Sequence, residues 1–273
     1  MAARRPPEPN PAPPLALGSV LSRTLSTWAQ NLPAFSALSL IVFSPLVAWT
    51  LLHTSEPRTS EQTKTFDEWS GYLSMLLSSV LGAALVYGVL EHVRGRRAGM
   101  AACLSNGLSR ILPVLGVSLL TFLYAMLAMI AVMIPSLIVG AASRVEKHAF
   151  AYAIFGVGVV IMAIVLTLYY VAVPVAVIER PGVRRSMGRS RDLTRGNRWR
   201  IFGLQLIWAL PGTLGMASNA LFSDDLRAAR LASLGLNALL FAPLGAVSSA
   251  LVYHDLRKGR DGATIEDLTK VFD

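Results

Sequence analysis

The chain has 273 residues, of which 53% are hydrophobic and only 15% are charged, whereas a soluble domain carries about 25% charged residues. Its formal net charge is +9, from 25 basic and 16 acidic residues. The mean hydropathy of +0.53 and the long apolar runs exclude a soluble enzyme and a disordered protein. They predict an all-α, polytopic integral membrane bundle.

The chain begins with a proline-rich stretch and an amphipathic segment. Residues 1–16 carry no cleavable signal and predict a disordered tail. Leucines and Trp28 recur at helical spacing over Leu17–Leu32, with serines and Arg23 on the other face. This pattern predicts a helix that lies in the cytoplasmic membrane interface with Trp28 as its anchor. The alternative is a helix that covers the end of the bundle.

Six apolar segments are long enough to span a membrane, because a spanning helix needs about 20 mostly apolar residues. Pro135 and Pro174 lie late in the third and fourth segments, where each is predicted to kink its helix or to end the membrane part. The fifth segment contains Pro211, directly followed by Gly212, and Gly215, so it is the weakest prediction, and a broken helix is the alternative. The predicted membrane domain covers 17–254, residues 255–273 form a cytoplasmic tail, and the spans are Ala34–Leu52, Ser70–Leu90, Ile111–Ala141, His148–Ile178, Ile201–Ala220 and Ala232–Tyr253.

Basic residues are distributed unevenly between the predicted loops. Nineteen of them lie in residues 1–33, 91–110, 179–200 and after Tyr253, and six lie in the other three loops. The two groups alternate along a six-span chain, and basic residues concentrate in cytoplasmic loops. We therefore predict that both termini are cytoplasmic; a five-span chain would put some basic loops on the wrong side.

Short segments before the third and fifth spans resemble the first amphipathic segment. Each contains a glycine, Gly107 or Gly196, shortly before an arginine and an isoleucine. The glycines predict helix C-caps, after which the chain turns into the membrane. The chain would then consist of three pseudo-repeated units, each an amphipathic lead-in helix followed by a helical hairpin. Chance similarity between short basic linkers is the alternative.

The richest basic segment runs from Glu179 to Arg200 and holds eight arginines. A helix over Val183–Arg195 would have a narrow apolar strip of Val183, Met187 and Leu193 or Thr194, flanked by arginines. Such a helix binds anionic lipid headgroups. The alternative is that these charges only set the orientation of the chain in the membrane and bind no specific ligand. The segment has no nucleic-acid-binding motif. The candidate lipid- or partner-binding residues are Arg184, Arg185, Arg189, Arg191, Arg195, Arg198 and Trp199.

Two further sets of polar residues are candidates for contacts inside the bundle. Tyr253, Asp255 and Arg257 follow the last apolar run and predict structural polar contacts. Because Asp255 must lie at the interface, we expect it to pair with an arginine of the basic segment. Any cavity between the spans would be lined by the polar residues Gln205, Asn219 and Asn237.

The sequence offers no constellation for catalysis. The apolar runs contain no Asp, Glu, Lys or Arg, which disfavours a proton path. Cys103 is the single cysteine, and the four histidines have no metal-ligand spacing. We therefore expect no enzyme activity, no cofactor and no metal.

Two motifs carry a resemblance to a known family. The last span runs into Tyr-His-Asp-Leu-Arg at 253–257, and Arg185-Ser186 precedes Leu-Thr-Arg-Gly-Asn-Arg-Trp-Arg at 193–200. Together they resemble the membrane domain of bacterial glycerophosphoryl diester phosphodiesterases and its stand-alone relatives. The resemblance covers most of the chain after Leu17 and implies six helices in a bacterial inner membrane. It does not imply phosphodiesterase activity, since that family's catalytic residues lie in a separate soluble barrel for which this chain has no room.

Two functions fit these observations. The first is a non-catalytic scaffold or accessory subunit that contacts anionic lipid or a membrane protein partner. The alternative is a transporter or channel for a neutral or lipid substrate, which would need a cavity and broken helices. The sequence does not determine the oligomeric state.

Overall fold

The computed structural model describes residues 15–53, 60–93, 95, 99–142, 147–208 and 226–261. Within these ranges the chain is all-helical and contains no strand, as the composition predicts. The helices are α1 (Leu17–Gln30), α2 (Leu32–His53), α3 (Ser60–Val93), α4 (Met100–Ser109), α5 (Ile111–Ala142), α6 (Lys147–Leu168), α7 (Ala172–Ile178), α8 (Val183–Thr194), α9 (198–208), α10 (Leu226–Leu236) and α11 (Ala242–Asp261), and a π-helical segment, Asn237–Phe241, joins the last two.

Five stretches of the described helices are long and apolar enough to cross a membrane. They contain most of the first, second, third, fourth and sixth predicted spans. Of the fifth predicted span, only the part within α9 is described, because residues 209–220 lie outside the described ranges. The predicted tail up to residue 14 also lies outside them. The five stretches are Leu32–His53, Glu68–Val93, Ile111–Pro135, Ile154–Ile178 and Ala228–Arg260.

Pro174 interrupts the fourth span, as its position predicts. In a continuous helix its ring would collide with the carbonyl of Tyr170 and remove the hydrogen bond to it. The chain instead leaves the helix at 169–171, and α7 begins at Ala172, so that Pro174 lies in the first turn. Pro135 behaves differently, because α5 continues past it to Ala142.

Helix α3 lies at the centre of the bundle and packs against α2, α4, α5, α7 and α11. Its inner face carries fully buried Leu81, Leu85 and Val86. Helices α5 and α6 pair mainly with each other, and their outward faces expose many large apolar side chains. Such a surface is typical of helices surrounded by lipid.

The short helices α1, α4 and α8 lie at one end of the bundle, here called the foot, where α3, α7 and α11 also end. The turn after α8 is as predicted: Gly196 has a φ of +91°, which suits the residue after a helix C-cap. The prediction for Gly107 is wrong. This glycine lies inside α4, and an ideal Cβ there would come within 2.8 Å of the Ala84 Cβ, so Gly107 permits close packing of α4 on α3.

Helix α1 covers the foot by packing on α11. Its innermost residues are Val20, Thr24 and Thr27, which are buried, and Leu21 packs at the edge of the core. Leu25, which belongs to the same predicted apolar face, is 48% exposed. The predicted apolar face is thus divided between protein and surroundings, which favours the alternative of a helix that covers the bundle.

Candidate functional site

The outer face of α8 and the turn after it carry a cluster of exposed arginines. The sequence prediction of a helix beginning at Val183 is confirmed, and the helix ends at Thr194. Five of the seven candidate residues are exposed arginines, three of them in α8 and two just after it, and Trp199 is 84% exposed. These five, the basic face, are Arg184, Arg185, Arg191, Arg195 and Arg198.

The apolar strip of α8 does not face outward, and this corrects the sequence interpretation. Met187 and Leu193 are buried, at 4% and 1% exposure, because α8 packs on α5, α7 and α11. Val183 fits against Gly116, where an ideal Cβ would come within 2.7 Å of the valine. The helix is therefore held by protein contacts, and its arginines project from an anchored support.

Arg189, the sixth candidate arginine, faces inward and belongs to a polar network at the foot. Its Nε lies 3.3 Å from Glu179 Oε2. Tyr253, which is fully buried, donates a 2.9 Å hydrogen bond from its hydroxyl to Glu179 Oε1. Arg257 Nη1 in turn donates to the Tyr253 hydroxyl at 3.1 Å. The network joins the end of α7 to α8 and α11.

The turn between α7 and α8 makes this network possible. Gly182 has a φ of +86° and a ψ of 166°, a backbone region that is essentially restricted to glycine. The chain can therefore reverse within Arg180–Gly182. Glu179 is left at the end of α7, and α8 runs back beside it with Arg189 in reach.

Asp255 forms an ion pair, but the predicted partner is wrong. Its carboxylate accepts from Arg23 Nη2 of α1 and lies 3.4 Å from His254 Nδ1, rather than meeting an arginine of α8. The basic face points away from the bundle, whereas α1 lies directly on α11. Asp255 therefore fastens the first described helix to the last one.

Sequence reasoning missed three residues that tie the foot together: Arg23, Glu179 and Asn197. Asn197 is 2% exposed, and its Oδ1 accepts a 2.9 Å hydrogen bond from the Leu15 backbone N–H. A buried asparagine directly after a C-cap glycine is a local signal that could have marked the turn. Nothing local links it to Leu15, 182 positions away.

The three residues predicted to line a cavity lie in different parts of the chain. Thr167 Oγ1 donates to Gln205 Oε1 at 2.9 Å, so Gln205 joins α9 to α6. Asn219 lies outside the described residues. Asn237, at the start of the π-helical segment, lines a cavity of about 450 Å³ between α3, the 169–171 break and α11.

Titration properties at the foot follow from burial and neighbouring charge. Burial, with the negative charge of Glu91 as the second cause, raises the pKa of the Cys103 thiol. Burial, with the positive charge of Arg180 as the second cause, lowers the pKa of Arg110. The turn before α5 and the turn before α8 thus bring like charges near one another.

Comparison of the chain with family models, with curated proteins and with solved structures gives no match. The resemblance to the phosphodiesterase membrane domain therefore stays a prediction.

Proposed function

We propose that this protein is a non-catalytic scaffold or accessory subunit of a bacterial inner membrane, and that it binds anionic lipid headgroups through the basic face. The observation that carries this proposal is the division of α8 into two sides. Arg184, Arg185 and Arg191 are exposed on one side, and Met187 and Leu193 are buried on the other. Arg195 and Arg198 are exposed just after the helix. Because the helix is already packed, its backbone does not have to be ordered when the arginines meet phosphates.

The charges that neighbour the basic face also favour anion binding. The only acidic residue within α8 is Asp192, and Glu179 is engaged with Arg189. Arg110 is close enough to Arg180 for their charges to interact. An anionic surface adds about 1 kcal/mol per nearby arginine, so five arginines supply a sufficient attraction without a specific pocket.

The proposed topology has six spans and cytoplasmic termini. It is supported by the five apolar helices and by the alternation of basic loops along the sequence. Reporter fusions after residue 52 and after Asp273 should report opposite sides of the membrane. A C-terminal reporter on the outer side would contradict the topology.

The three-unit organisation is also part of the proposal. In each unit the lead-in helix ends in a short turn, and the following helix begins with a hydrogen bond back to that turn. The bonds are Phe35 N–H to Asn31 O, Val114 N–H to Arg110 O and Ile201 N–H to Asn197 O. The similarity supports a repeated lead-in and turn.

The lipid proposal can be tested with the purified full-length protein in a neutral detergent. The variant Arg184→Gln/Arg191→Gln removes two charges, one helical heptad apart, from the basic face. We expect phosphatidylglycerol to bind this variant about thirtyfold more weakly, since each charge contributes about 1 kcal/mol. Native mass spectrometry with phosphatidylglycerol, and with phosphatidylcholine for comparison, measures the two affinities.

The matched control is Arg58→Gln/Arg144→Gln, which removes the same net charge from loops that the sequence assigns to the other side. This control should bind phosphatidylglycerol as the unmodified protein does. Binding to the basic face should also weaken as salt is raised from 0.05 to about 0.5 M, because screening shortens with ionic strength. An equal loss in both variants, or no loss in either, would contradict a role for the basic face.

A transporter for a neutral or lipid substrate is the second candidate function. The cavity of about 450 Å³ beside Asn237 favours it, together with the interrupted helix at 169–171. Transport requires the cavity to open alternately to the two sides. Cysteine labelling at position 237 from each side of oriented vesicles, in the Cys103→Ala background, distinguishes a transporter from a scaffold.

A further inference from the structure

The cavity beside Asn237 lies among residues that the sequence assigns to the membrane interior. Its walls come from three of the candidate spans, Glu68–Val93, Ile154–Ile178 and Ala228–Arg260. Its volume of about 450 Å³ is within the roughly 300–1,000 Å³ of ordinary ligand sites. The cavity is open to the surface of the described residues, so a ligand can enter without an unfolding step.

Two irregular stretches of backbone form part of the wall. One is the break at 169–171, which contributes Tyr170, and the other is the π-helical segment that begins at Asn237. Irregular backbone at membrane depth is tolerated where it is buried in protein or lines a cavity. Single π-helical turns inside α-helices are frequent at functional sites. Both irregularities of these spans meet at the same cavity.

Two glycines of the wall have no packing reason to be glycine. Glycine inside a helix costs about 1 kcal/mol relative to alanine. An ideal Cβ at Gly82 or Gly245 would meet no neighbouring atom within 4 Å, in contrast to the tightly packed Gly107 and Gly116. Neither Gly82 nor Gly245 has a positive φ. A side chain at either position would extend into the cavity.

The chemistry of the wall selects an uncharged ligand. None of the residues that line the cavity, all of them described, is ionisable apart from Tyr170. The Tyr170 hydroxyl is already engaged as a donor to Ser248 Oγ, at 2.9 Å. A charged group would enter without a counter-ion, at a large cost in free energy. Asn237 offers both a donor and an acceptor, which suits a hydroxyl or amide group.

We propose that this cavity binds a single-chain lipid with an uncharged hydroxyl or amide head. The chain lies along Gly82 and Gly245, and the head group bonds to the Asn237 carboxamide. The partly exposed side chains of Val173 and Phe241 complete the contact with the chain. This site is independent of the basic face, since it uses none of its residues and favours a ligand without charge.

The test uses the purified full-length protein with oleyl alcohol as the probe and oleate as a charged probe of equal chain length. Native mass spectrometry counts bound lipid and also reports the oligomeric state. Because oleate can also bind the basic face, the comparison uses only the binding that Gly82→Leu removes. That binding should be at least about tenfold tighter for oleyl alcohol than for oleate, a difference of about 1.4 kcal/mol. Gly82→Leu should weaken binding of oleyl alcohol at least about tenfold, because its side chain extends into the space where the lipid chain would lie.

Gly71→Leu is the matched control, since Gly71 lies on the same helix, also faces open space and does not line the cavity. It should bind oleyl alcohol normally. Asn237→Leu keeps the size of the side chain and should weaken binding about fivefold through the lost hydrogen bond. Thermal unfolding of each variant without lipid checks that Gly82→Leu is folded, and Gly245→Leu repeats the test from the opposite wall.

Four results would overturn the proposal. They are binding of oleyl alcohol that survives both glycine substitutions, equal loss of oleate and oleyl alcohol in Gly82→Leu, no binding of oleyl alcohol, and a change of oligomeric state in Gly82→Leu. The last would mean that a second copy of the chain, rather than a lipid, occupies the cavity. A failure of any of these kinds leaves the phosphatidylglycerol test of the basic face unaffected.

Discussion

The hydroxyl of Tyr253 is the best place to test the polar network at the foot, because a single oxygen atom joins α11 to α7. The substitution Tyr253→Phe removes that atom and keeps the ring. Glu179 loses the hydrogen bond that it accepts at 2.9 Å, and Arg257 loses the acceptor at 3.1 Å. Both partners are charged, and the tyrosine side chain is fully buried.

The expected loss follows from the kind of hydrogen bond removed. Hydrogen bonds to charged groups are worth about 1.5–3 kcal/mol, and neutral ones about 1 kcal/mol. Glu179 keeps its contact with Arg189, so the charge is not left without a partner, and we expect the free energy of unfolding to fall by about 2 kcal/mol. Tyr170→Phe is the matched control, since that hydroxyl donates to the neutral Ser248 and should cost about 1 kcal/mol.

Cys103 makes the assay simple, because it is the single thiol of the chain and is buried. A thiol-reactive fluorophore then reports unfolding during a denaturant titration in detergent micelles. A loss in Tyr253→Phe no larger than that in Tyr170→Phe would refute the argument from charged partners. A double-mutant cycle of Tyr253→Phe with Glu179→Gln should be non-additive by about 1 kcal/mol or more, and additivity would refute the contact itself.

Three other predictions are checked with the same denaturant titration or with the reactivity of Cys103. A double-mutant cycle of Arg23→Gln with Asp255→Asn should give a coupling energy of about 1 kcal/mol, because Arg23 is 43% exposed and exposed pairs contribute little. A coupling energy of zero would contradict the ion pair. Maleimide should label Cys103 slowly in the folded protein at pH 7, since burial raises the pKa of its thiol, and rapid labelling would contradict the packing of α4 on α3. Gly107→Ala should destabilise the protein by about 1–3 kcal/mol, because the added methyl group would clash with Ala84. The control Gly188→Ala, whose methyl group meets open space, should stabilise the protein by up to about 1 kcal/mol. Equal effects would contradict the close approach of α4 to α3.

The sequence by itself determined the features that depend on neighbouring residues. Runs of apolar residues specify helices of membrane length because each residue in such a run satisfies its own backbone inside the helix. Pro174 interrupts the fourth helix through a clash with a residue four positions away. Gly196 permits a turn that needs a positive φ, and the arginine density of 184–198 keeps one side of α8 exposed, since buried charges are costly.

Only the tertiary structure decided which distant residues meet. Asp255 could pair with any arginine at the same end of the bundle, and the packing of α1 on α11 selected Arg23. The apolar strip of α8 has the same periodicity whether it faces lipid or protein, so burial against α5, α7 and α11 was not readable from spacing. The cavity between Gly82 and Gly245 exists because two helices that are 163 positions apart in the sequence approach without filling the space between them. Periodicity is a property of one helix, whereas pairing and empty volume are properties of several helices packed together.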